Sequence, residues 1–117
     1  MKIALALVLA LGLSACDKPV DPQYQVKTNL ARFEVGGFGA VMVADFEITN
    51  NTQTQVKDIE IVCDGYSETN TKVDSNNRTV YKVINPGKTI KVKDFNMGFI
   101  QSSVSSERCR TTKFVIN

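Results

Sequence analysis

Three cysteines and no histidine bound the chemistry open to this 117-residue chain. Cys16 stands at the end of the apolar run Ile3–Leu13, directly after the small residues Ser14 and Ala15. Cys63 and Cys109 are 46 positions apart and suggest one disulfide, with two free thiols as the alternative. Two isolated cysteines without histidine do not complete a zinc site, so no metal is expected. Without histidine, Ser-His and Cys-His nucleophiles are excluded. A Ser-Lys pair is not excluded by composition, but Ser102, Ser103, Ser105 and Ser106 cluster as a loop would, with no lysine in a motif-like setting. Gly36-Gly37-Phe38-Gly39 does not open a helix and reads as a turn or bulge, not a phosphate loop. Asp58 and Glu60 fall on one strand face, where a solvated pair is the expectation over an acid–base or calcium pair. Neither an enzyme nor a cofactor is expected.

The first residues carry an address. Lys2 precedes eleven residues, Ile3 to Leu13, interrupted only by Gly12. That is the layout of a secretory signal peptide. A membrane-spanning helix needs about 20 apolar residues, and this run is shorter. A core helix would show one polar face, and the run is apolar all round. Leu13-Ser14-Ala15-Cys16 resembles the lipobox of bacterial lipoproteins. The resemblance implies cleavage after Ala15, a diacylglycerol on the Cys16 thiol and acylation of its new amine. Several acyl chains on one residue make a lasting anchor, where one chain holds only marginally. Asp17 resembles the enterobacterial signal for retention at the inner membrane; the alternatives are the outer membrane or a plain linker residue. Either way the domain is expected to face the periplasm, an oxidising compartment in which Cys63 and Cys109 would pair.

Residues 16–23 then form the lipidated cysteine and a short linker, and residues 24–117 a single domain. Pro19 and Pro22 keep the linker extended. Residues 17–23 span at most roughly 25 Å, so the domain stays near the bilayer. Without residues 1–15 the chain keeps 13 basic and 12 acidic residues and is nearly neutral. It has no basic stripe of the kind that binds nucleic acid. Lys82, Lys88, Lys91 and Lys93 read as the solvent sides of two strands, with an anionic lipid or partner surface as the alternative.

Period-2 alternation dominates after Gln23. Met42, Ala44, Phe46 and Ile48 share one face, and Ile59, Ile61 and Cys63 another. Asp74-Ser75-Asn76-Asn77 reads as a turn before a strand at Thr79–Ile84, and Asn85-Pro86-Gly87-Lys88 as a stronger turn before Thr89–Phe95. An early strand falls within Tyr24–Val35 and a last one starts near Arg108. The expectation is an all-β fold: a small antiparallel, immunoglobulin-like β-sandwich of about seven strands. With no tryptophan, the likeness is one of architecture only. Phe46–Asn51, Val56–Ile61 and Ile84–Thr89 resemble the strand-and-turn plan of FxLYD-type immunoglobulin-like extracytoplasmic modules. Phe95–Ile100 with Cys109 resembles segments of uncharacterised proteobacterial envelope proteins. These families imply no catalytic residues.

Phe95, Met97 and Phe99 share one side if the chain there is extended. They read either as a core strand with a bulge at Gly98 or, with Phe38, as an apolar surface for a protein partner. The functional expectation is a non-enzymatic, membrane-anchored binding module, such as an accessory subunit of an envelope assembly. The alternative is an immunity or exclusion lipoprotein that neutralises an incoming toxin, phage or conjugation machine. No nucleic acid and no small-molecule substrate are expected.

Overall fold

Alternation without a break over Val41–Asn50 makes the strand on which one sheet is centred. Met42, Ala44, Phe46, Ile48 and Asn50 are buried, and each residue between them is only partly covered. The structure, a computed structural model, describes residues 20–36 and 40–117. The proposed signal peptide, Cys16, Asp17 and Phe38 lie outside the described residues. One helical turn, α1 (Pro22–Gln25), is capped by the Asp21 carboxylate; Pro22, expected to keep the linker extended, instead opens this turn, where a missing N–H costs nothing. Six strands follow: β1 (Val26–Gly36), β2 (Val41–Asn50), β3 (Val56–Tyr66), β4 (Lys72–Val80), β5 (Thr89–Phe99) and β6 (Ser106–Ile116).

They form two three-stranded antiparallel sheets, ordered β1-β2-β5 and β4-β3-β6. Each central strand offers a row of apolar side chains to the other sheet. Val56, Ile59, Ile61 and Cys63 of β3 thus meet Met42, Ala44, Phe46 and Ile48 of β2 in one core. Phe95 joins it edge-on to Phe46, with ring centroids 6.2 Å apart. This is the small antiparallel β-sandwich the alternation predicts.

Polar groups close the seams between the sheets. At the β1–β6 seam, the buried hydroxyls of Thr28 and Thr111 are hydrogen-bonded at 2.6 Å. Asn50, fully buried, satisfies its whole amide. Its Nδ2 donates to the carbonyls of Thr54 (2.8 Å) and Ile84 (2.9 Å), and its Oδ1 accepts from the Thr52 amide and hydroxyl. A buried amide so paired costs little and ties three segments together.

The strand count and one boundary differ from the sequence-based expectation. Asp74-Ser75-Asn76-Asn77 lies inside β4, and the turn falls at Ser67–Thr71, closed by Ser67 N to Thr71 O and Asn70 N to Ser67 O. The turn-forming side chains are used elsewhere. Ser75 donates to Asp64 at 2.8 Å, and Asn76 reaches across to β5. Tertiary hydrogen bonds outweigh local turn preference here. Residues 81–83 are irregular, and Ile84 makes a single bridge to Val56. Lys91 and Lys93 do lie exposed on a strand, but Lys82 and Lys88 sit on the β4–β5 connection.

Cys63 and Cys109 form the expected disulfide, between directly opposed residues of neighbouring strands with Cα atoms 4.0 Å apart. In immunoglobulin domains the corresponding bond crosses between the sheets; here it staples two strands of one sheet, with Cys63 facing the core. Cys63→Ser should lower stability under oxidising conditions by roughly 2–4 kcal/mol. Thermal melts of variant and oxidised wild type check this, and equal midpoints would contradict a stabilising bond.

Candidate functional site

Strand register sorts the loops to two ends of the sandwich. Val26 pairs with Asn50, so the chain enters β1 beside the β2–β3 turn, and Asn51 N donates to Gln25 O. The β4–β5 connection lies at the same end, through Gly87 N to Asn50 O and the Val56–Ile84 bridge. The β1–β2, β3–β4 and β5–β6 loops gather at the opposite end. Ile100 N donates to Ala40 O at 2.7 Å, and Ser105 N to Tyr66 O at 2.8 Å.

At this second end the segment Phe95–Ile100 divides. Met42 pairs with Gly98 and Val43 with Asn96, which leaves Met97 as the extra residue of a β-bulge. Gly98 takes φ +98°, a region that favours glycine, and a Cβ there would come within 2.5 Å of the Arg78 guanidinium. The Gly98 amide donates to Asn96 Oδ1, and Asn76 Nδ2 donates to the carbonyls of Met97 (3.0 Å) and Phe99 (2.8 Å). An extra residue in a strand re-aims the side chains beyond it. Phe95 and Met97 therefore face inward, and Met97 is wholly buried. Phe99 turns outward and is 75% exposed. Of the three candidate docking residues on β5, Phe95 and Met97 are core and Phe99 alone is surface. Gly36 pairs with Val41, which pairs with Phe99, so the β1–β2 loop that carries Phe38 starts next to Phe99.

Below these loops lies a feature the sequence did not announce. Gly65 is buried and stands opposite Asp74 on one side and Glu107 on the other. With no side chain on Gly65, both carboxylates lean into the space above it. A Cβ at 65 would fall 2.7 Å from Glu107 Oε2 and closer still to Asp74 Oδ1. Both oxygens are buried and without a hydrogen-bond partner, while Asp74 Oδ2 accepts from the Gln101 amide at 2.8 Å. Val104 packs over the pair. Burial, and then the charges of Asp74 and Asp64, push the Glu107 carboxyl up to about 7. A buried carboxyl beside two other carboxylates is held toward its neutral form. Half of this pair follows from the disulfide. Once Cys63 is set opposite Cys109, Gly65 must face Glu107, two residues on along β3 and two back along β6. Asp74 had no such signal, because it reads as a turn residue.

Asp64, on the outer face, shows the reverse balance. Burial pushes its carboxyl up, but hydrogen bonds from Ser75, Arg110 and Lys72 outweigh that and hold it below the ordinary range. The Arg110 guanidinium lies 2.8 Å from it.

Ser102, Ser103 and Ser105 line an open groove of about 380 Å³ with Ser67, Glu68, Thr69 and Val104, and no lysine lines it among the described residues. Asp58 occupies a bulge with φ +52°, while Glu60 accepts from the Thr112 hydroxyl, so the two are not a working pair. The sulfurs of Cys63 and Cys109 lie within 4.8 Å of a Glu107 oxygen, but both are taken up in the disulfide and offer no thiolate. Compared with family models, curated proteins and solved structures, the chain matches none.

Two outcomes follow from this end of the molecule. A carboxyl whose folded value lies above its unfolded value stabilises fully below the unfolded value, and that stability is lost as pH rises through the folded one. Between pH 4.5 and about 7 the protein should therefore lose on the order of 1–2 kcal/mol, after allowance for solvent screening. Glu107→Gln should flatten that loss in a series of melts, and an already flat wild-type profile would contradict the raised value of the Glu107 carboxyl. Separately, Met97→Ala should cost about 2–5 kcal/mol and Phe99→Ala little, since only the first opens a cavity. Chemical denaturation of the two variants tells them apart.

Proposed function

We propose that this chain is a membrane-anchored periplasmic lipoprotein that acts as a non-enzymatic protein-binding module. Its anchor is the lipid on Cys16, and Asp17 keeps it at the inner membrane. Another envelope protein docks at the loop end of the sandwich, with Phe99 as the apolar contact and the β1–β2 loop carrying Phe38 beside it.

One observation supports this reading above the others. The chain enters the sandwich at one end, beside Asn50 and Asn51, and the exposed Phe99 stands at the other. A tether at the first end leaves the second free to meet a partner. Loops on a rigid, disulfide-stapled scaffold suit recognition, and exposed aromatics are common anchors of protein contacts.

The test is a crosslinked pull-down of the tagged full-length protein from native membranes, read by mass spectrometry beside Cys16→Ala and Phe99→Ala. The wild type should enrich one envelope protein, and Phe99→Ala should reduce that enrichment by about tenfold, the effect of losing a single anchor residue. Enrichment unchanged by Phe99→Ala would overturn the assignment of this end. Capture that occurs only in the presence of a toxin, phage or conjugation machine would replace the accessory role by an immunity or exclusion role.

A further inference from the structure

The end at which the chain enters differs in its surface from the loop end. Residues 20–27, 50–58, 80–90 and 113–117 hold five lysines and two aspartates, Asp21 and Asp58. The described residues in the matching spans at the loop end, 33–43, 63–76 and 96–109, hold five acidic residues against Lys72 and Arg108. Of the five lysines, Lys27, Lys82, Lys88 and Lys113 are exposed and Lys57 is half-buried, and none is ion-paired with a described residue.

Apolar side chains stand among them. Tyr81 is 79% exposed, Ile116 65% and Val83 50%. Register groups them: Ile116 and Ile84 both pair with Val56, and Val115, also exposed, pairs with Lys57. Aromatic and aliphatic side chains mixed with lysines match the headgroup region of a bilayer, where tyrosine places its ring and hydroxyl at the boundary with water.

We propose that this end rests on the bilayer surface, with Tyr81, Val83 and Ile116 at headgroup depth and Lys27, Lys82 and Lys88 against anionic phospholipid. The inference rests on the lipid-anchored reading above and names a second contact of the anchored domain. The tether fixes the occupant: residues 17–23 extend at most roughly 25 Å, which holds this end close to the leaflet. Attraction between lysines and anionic lipid fades over about 8 Å at physiological salt, so only a face pressed against the leaflet benefits. The loop end has no comparable set of unpaired lysines, since its Lys72 is ion-paired with Asp64. The domain therefore stands upright and presents Phe99 away from the membrane.

The chain has no tryptophan, so Tyr81→Trp and Phe99→Trp each give a single fluorescent reporter at an exposed site. The full-length lipidated protein is placed in vesicles of phosphatidylethanolamine and phosphatidylglycerol carrying brominated acyl chains. The tryptophan at 81 should be quenched by about twofold or more, and that at 99 should not. Salt of about 1 M, where screening acts within roughly 3 Å, should relieve the quenching without releasing the protein. Combining Lys82→Glu and Lys88→Glu with the reporter should relieve it too. Equal, weak quenching at 81 and 99 in firmly attached protein would overturn the upright placement and leave the anchor standing. Shielding of position 81 from a soluble quencher without quenching by lipid would also overturn it, since a protein then covers the face. Failure of the anchor reads out separately, as vesicle attachment unchanged by Cys16→Ala.

Discussion

Strand β3 is hydrogen-bonded on both sides, and the register of its inward row organises the molecule. Val56, Ile59, Ile61 and Cys63 fill the core in turn, and Gly65 continues the row to the loop end. Each position on that row sets what its neighbours must be. Val56 holds Ile84 and Ile116 at one end, Cys63 faces Cys109, and Gly65 leaves room for two carboxylates. A slip of one residue would turn the whole row to solvent. The disulfide lies within this register and locks it.

The two ends of the sandwich have opposite character, and the strands separate them. Around Val56 the surface is lysine-rich and partly apolar; around Gly65 the carboxylates are buried or ion-paired, and the end carries the outward Phe99. A single extra residue at Met97 decides which aromatic becomes surface. The bulge is held by Asn76 of the facing sheet, so a side chain that closes a seam also sets the orientation of Phe99. Structure and surface are thus coupled through one asparagine.

Much of the fold was legible because burial imposes alternation. Met42 to Ile48 and Ile59 to Cys63 show it in their residue types, and the disulfide follows from cysteine count and the phase of Cys63. β4 was hidden because an edge strand needs few apolar residues, and Asp74-Ser75-Asn76-Asn77 carries turn formers whose hydrogen-bonding groups act between strands and sheets. The split of Phe95, Met97 and Phe99 was hidden for a related reason. Gly98 marks a bulge in the sequence, but which side chains it re-aims depends on the strand opposite. The Asp74–Glu107 pair needs the alignment of three strands, and only β3 with β6 is tied by a visible marker.

The Thr28–Thr111 hydrogen bond joins residues 83 positions apart, the first strand to the last. The β2–β5 pairing within one sheet and the β3–β6 staple within the other likewise join distant parts of the chain. Folds built from such pairings form in milliseconds to seconds, since each closes a long loop before any contact rewards it. During synthesis β1 and β2 emerge with an apolar row and no opposing sheet to cover it. Only when β6 is free do the Thr28–Thr111 seam, the disulfide and the third strand of the second sheet become possible together. The order of the strands therefore makes completion of the sandwich a late event, and leaves the apolar row of β2 in need of protection until β6 has appeared.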